Sequence, residues 1–101
     1  MKLINVTNSH SRLVLQQLEN TDAEMVKVYT AGDTTVIYTV APLHNEILLV
    51  NNKRTIQPQE IEMIKKHFLD RIPADSYNKA SVSTLTDSNF VEISIPKVLH
   101  H

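Results

Sequence analysis

Histidine supplies the side chains through which this sequence could do acid–base chemistry, and three stand among other polar groups: His10, His44 and His67. His67 has Asp70 three residues on, so on a helix the carboxylate could orient one imidazole nitrogen, as the third group of a catalytic set does. A solvated face near a helix C-terminus accounts for the same two residues. His44, Asn45 and Glu46 fall in a predicted turn, where functional groups are often displayed, with no nucleophile or oxyanion-forming loop beside them. Ser9, His10 and Ser11 are adjacent at a helix start, which is the pattern of capping rather than of a serine–histidine pair. No two of these histidines have metal-ligand spacing, and no HExxH motif occurs. No catalytic, metal or cofactor residue is therefore assigned.

The basic residues offer a second chemistry. Lys53 and Arg54, with Lys65, Lys66, His67 and Arg71, would form one positive patch if a helix over the later residues folded back beside the preceding loop, and such a patch could hold phosphate oxygens. None of the five aromatic residues directly adjoins a lysine, Tyr29 standing two positions from Lys27, which makes a poor stacking platform for single-stranded nucleic acid. Ten basic against eleven acidic side chains, a formal charge of −1, create no long-range field to attract nucleic acid or an anionic membrane. One glycine and no cysteine in 101 residues remove glycine-rich phosphate loops and thiol-based metal, redox or nucleophilic sites.

Hydrophobic periodicity predicts the elements that must position these groups. A short strand over Lys2–Thr7 leads to a helix begun by Asn8 or Ser9, with Val14, Leu15 and Leu18 as a narrow apolar stripe. Met25–Thr30 and Thr34–Val40 alternate as two strands about Gly32-Asp33, a hairpin turn with its glycine where positive φ is needed. Pro42 closes the second strand. Ile47-Leu48-Leu49-Val50 lacks alternation and predicts a strand covered on both faces. A helix opens at Pro58 and ends before Pro73, with Ile61, Ile64, Phe68 and Ile72 on one stripe and a Glu62–Lys66 ion pair on the other side. Residues 81–86 read as an edge strand or a loop, and Phe90–Ile95 as a final strand with Val91, Ile93 and Ile95 on one face. The expected fold is a single α+β domain over residues 1–96, in the order βαβββα(β)β. It is a two-layer sandwich of mostly antiparallel sheet with two helices on one face and Thr, Tyr, Lys and Ser on the other. Residues 97–101 are expected to form a disordered tail.

Met1-Lys2-Leu3-Ile4-Asn5-Val6-Thr7 leading into the first helix, with Ile56-Gln57-Pro58 opening the second, resembles a family of small single-domain proteins of unknown function from Gram-positive bacteria. The resemblance spans nearly the whole chain and implies an intracellular bacterial protein. The apolar run at the start is too short for a signal peptide, and no run reaches the 18 apolar residues of a membrane span, so a cytoplasmic location is expected. The leading expectation is a non-catalytic interaction or regulatory module that uses the polar sheet face or an unprotected strand edge to bind a protein partner or a second copy. Two alternatives stand beside it. One is a small enzyme or ligand-binding protein whose site assembles from His44, Glu46, His67 and Asp70. The other is a weak nucleic-acid binder through Lys53, Arg54, Lys65 and Lys66.

Overall fold

A computed structural model describes residues 3–5 and 11–98. The elements follow the predicted order: β1 (Ile4–Asn5), α1 (Ser11–Thr21), β2 (Met25–Ala31), β3 (Thr34–Val40), β4 (His44–Val50), α2 (Pro58–Leu69), a 3₁₀ turn (Lys79–Ser81), β5 (Ser83–Thr86) and β6 (Phe90–Pro96). The strands form one antiparallel sheet in the order β1-β2-β3-β4-β6-β5. The doubtful segment 81–86 is thus resolved into a turn and an edge strand. Asn8, Ser9 and His10, expected to cap the first helix, lie outside the described residues, as do Leu99, His100 and His101.

The two-residue alternation of strand side chains, combined with the pairing register, sorts the sheet into two faces. Val36, Leu49 and Val91 stand in one row across β3, β4 and β6, and Tyr38, Ile47 and Ile93 in the next. Ile61, Ile64 and Phe68 of α2 pack on this first face, where Ile47, Leu49, Val91 and Ile93 are fully buried. Phe68 stacks on Tyr38 with ring centroids 4.5 Å apart and meets the edge of Tyr29 at 5.6 Å. β4 is central and apolar at consecutive positions, as its unbroken run predicts.

The second face differs from the expectation. It is not a bare polar surface, because Val28 and Ile37 on it are fully buried. Gln16 and Gln17 of α1 line a cleft with Leu48, Val50, Phe90 and Glu92, all of this face. The helices therefore lie on opposite faces of the sheet rather than together on one. The physical reason is legible in Val36-Ile37, Ile47-Leu48-Leu49-Val50 and Phe90-Val91: apolar side chains at both parities need a cover on both sides. Lys27 and Tyr29, of the types expected on the polar face, belong instead to the face that α2 covers, together with Tyr38.

Gly32 occupies the β2–β3 turn at φ +62°, where a Cβ would meet no atom within 4 Å. Gly32→Ala should therefore cost only the left-handed backbone penalty, about 1 kcal/mol. Urea denaturation checks this, and an unchanged midpoint would contradict the assigned turn geometry. At the other end of the chain, Lys97 N–H donates to Leu43 O at 3.0 Å and Val98 N–H to Ser76 O at 2.8 Å. The first two residues of the expected tail are thus tied to the fold.

Candidate functional site

His44, Asn45 and Glu46 stand in a strand, not in the predicted turn. Ala41 N–H donates to His44 O at 3.0 Å and closes the hairpin around Pro42-Leu43, so β4 already begins at His44. Alternation then divides the three residues. Asn45 turns to the first face, where its Nδ2 donates to the Tyr38 hydroxyl at 2.9 Å. His44 and Glu46 turn to the second face, with His44 Nε2 3.5 Å from Glu46 Oε2. Glu46 is only 8% exposed and pairs with Ser94, while Glu92 is its diagonal neighbour on β6. Burial, and then the hydrogen bond to Glu92 and the charge there, push the Glu46 carboxyl up to about 7. Thr39, directly opposite Glu46 on β3 and 1% exposed, has a hydroxyl without a hydrogen-bond partner among the described residues. Nothing at the sequence level marked Glu92 or Thr39, since only the register brings them beside Glu46.

His67 is on α2 and Asp70 is its C-cap; the helix covers the opposite face of the sheet, so the two do not join His44 and Glu46 in one site. Nor does Asp70 orient His67. Lys66 Nζ donates to Asp70 Oδ2 at 2.9 Å, and the His67 ring lies edge-on to Phe68 at 5.2 Å. Burial and the neighbouring Arg71 lower the His67 pKa, which favours the neutral imidazole. The expected Glu62–Lys66 pair is replaced by Glu62–Lys65 at 3.1 Å and Lys66–Asp70.

The basic patch is largely spent on internal pairing. Arg54 donates through Nε and Nη2 to the Asp33 carboxylate at 3.0 and 2.7 Å, and through Nη1 and Nη2 to Glu60 at 2.9 and 2.6 Å. It thereby ties the β2–β3 turn to the first turn of α2, where Glu60 also accepts from Gln57 N–H at 2.8 Å as a capping side chain. Hydrogen bonds from Arg54 and then Asn51 hold the Asp33 carboxyl down at about 2. Arg54→Ala should return that pKa toward the ordinary value near ~4, read by carboxyl-carbon NMR titration. An Asp33 that still titrates near 2 would mean that Arg54 is not its partner.

A groove lies between α2 and the strip of chain that leads into β5. Its upper part, about 410 Å³, is lined by Leu69, Tyr77 and Val82 with Lys65, Lys66 and Lys79. Its lower part, about 400 Å³, is lined by Ile56, Pro58 and Ile61 facing Thr84 and Thr86. Glu62 borders both parts. β5 forms the outer rim and, among the described residues, is paired only with β6; all four of its residues are exposed. Sequence patterning left this strand doubtful because Ser-Thr-Leu-Thr has no apolar face of its own.

Among the described residues, no group of His, Asp and Glu is arranged to hold a metal ion. No helix among them is long and apolar enough to cross a membrane. The family described as a domain of unknown function, DUF1827, matches residues 1–96. The chain is also similar to a conserved protein of unknown function from Streptococcus thermophilus LMG 18311, known from its crystal structure. The two are 42% identical with a TM-score of 0.87, over 98% of this chain and 99% of that one. No match is found among curated proteins.

Proposed function

We propose for this chain, which belongs to the DUF1827 family, a non-catalytic role: it binds an extended segment of a partner protein along the open edge of β5. The carrying observation is the coincidence of an unpaired strand edge with a groove on its inner side. Sheet edges are ordinarily guarded by lysine, proline, a bulge or a covering loop, because unpaired N–H and C=O groups template another strand. Ser83–Thr86 contains neither lysine nor proline, and Leu85 on it is 59% exposed. An added strand would gain main-chain hydrogen bonds from β5, and every second side chain would drop between Thr84 or Thr86 and the apolar side of α2. That arrangement selects medium-sized apolar residues at alternate positions.

The internal pairing of Arg54, Lys65 and Lys66 favours a protein segment over nucleic acid, since phosphate contacts need uncommitted cations. A cysteine-free chain suits the reducing cytoplasm, where we place this activity.

Selection of peptides from a displayed random library, followed by amide exchange of the complex, tests the reading. The expected result is a family of extended peptides that slow exchange within 83–86 and shift the α2 resonances facing the groove. Thr84→Asp with Thr86→Asp, both exposed, should weaken such a peptide at least about tenfold, ~1.4 kcal/mol, with little change in melting temperature. Protection on another surface, or an affinity indifferent to the two aspartates, would overturn the proposal. Pairing of β5 with a second copy would register in sedimentation as a dimer that the double variant dissociates, and would replace the partner segment by the chain itself.

A further inference from the structure

The second sheet face, covered in part by α1, has a one-sided charge pattern. Among the described residues its strand positions carry His44, Glu46 and Glu92 and no lysine or arginine. The described side chains of α1 add Gln16, Gln17 and the exposed Glu19, and again no cation. β2 and β3 present Val26, Val28, Thr30, Thr35, Ile37 and Thr39 there, so among the described strand residues of this face the ionisable groups near Glu46 are His44 and Glu92. Between α1 and this face runs a cleft of about 330 Å³, near the lower size of small-molecule sites. Leu48 and Val50 form its floor, Phe90 an aromatic wall, Asn52 and Asn89 its rim, and Glu92 its single charged group.

We propose that this cleft binds a small organic cation, an alkylammonium or quaternary ammonium group, with Glu92 as counter-charge and Phe90 as the aromatic contact. An aromatic ring beside a carboxylate over an apolar floor is the chemistry that attracts such groups, and the carboxamides around it offer carbonyl oxygens to any N–H. The buried neighbour makes the binding proton-linked. Glu46 holds its proton because it is desolvated and lies beside Glu92. A cation placed at Glu92 neutralises that charge, so near pH 7 the Glu46 proton passes to the buffer. The Thr39 hydroxyl, buried opposite Glu46 and without a partner among the described residues, can then donate to the newly formed carboxylate.

Choline and n-butylammonium are the probes, with uncharged 3,3-dimethylbutanol as the isosteric control for choline. NMR titration at pH 7 should give saturable shifts at Leu48, Val50, Phe90 and Glu92 with the cations and none with the alcohol, and Glu92→Gln should weaken the response about tenfold or more. Calorimetry in phosphate and HEPES buffers, neither of which is a simple alkylammonium, should reveal proton release by the native chain. Glu46→Gln should still bind choline but release no proton, a readout that decides the matter even if Glu92→Gln fails to fold. An equal response to the alcohol, an unchanged affinity in Glu92→Gln, or proton release that persists in Glu46→Gln would overturn the site.

Discussion

Replacement of Phe68 by alanine is expected to lower the free energy of unfolding by about 3–5 kcal/mol, a large part of the 5–15 kcal/mol typical of a domain this size. α2 is fastened to the sheet through Ile61, Ile64 and Phe68, and Phe68 is the largest of these anchors. Its ring fills the space above Tyr38 and beside Tyr29, so truncation removes buried apolar area, leaves a cavity under a helix that cannot collapse onto a rigid sheet, and ends both ring contacts. Phe68→Leu keeps most of the volume and should cost considerably less. Urea denaturation of both variants provides the check. A loss below ~1 kcal/mol in the alanine variant would show that α2 is not seated on this face. The same loss should free the groove wall, so peptide binding at β5 should weaken along with stability.

The second large effect concerns pH. Because the folded-state pKa of Glu46 is raised from 4.5 to about 7, the native chain keeps a proton that the unfolded chain gives up at lower pH. The native state therefore binds more protons between these values, and stability falls as pH rises through that window and levels off above it. The unscreened shift is moderated by solvent at the rim of the face, leaving a loss of about 2 kcal/mol between pH 4.5 and 8. Glu46→Gln supplies a neutral side chain of the same shape that can still donate to Glu92. It should match the native chain at pH 5 and exceed it by about 1–2 kcal/mol at pH 8. Denaturation curves at several pH values decide this: parallel pH profiles for the two proteins would rule out Glu46 as the responsible group.

Much of the fold was legible in local patterns. The strand at Thr34–Val40, the turn at Gly32 and the helix opening at Pro58 depend on alternation, positive φ and first-turn chemistry, all of which act within a few residues. His44 was misplaced for a reason of the same scale. Its polar neighbours suggested a turn, while Pro42-Leu43 had already completed one and the strand resumed at once. The candidate sites were less legible. Arg54 offered itself as a free cation, but Asp33 and Glu60, remote or merely helical in sequence, converge on it in space.

By itself the sequence determined which segments could be strand or helix, that the Ile47–Val50 strand would be covered on both faces, and that thiol and glycine-loop chemistry were absent. Period, backbone freedom and composition are local properties, and one chain of letters contains them in full. Only the tertiary structure decided that α1 and α2 take opposite faces, that Glu46 meets Glu92 under a buried Thr39, and that β5 is left as a rim above a groove. Those outcomes depend on strand order and register. A shift of one residue would turn Glu46 to the other face and separate it from Glu92, although no letter of the sequence had changed.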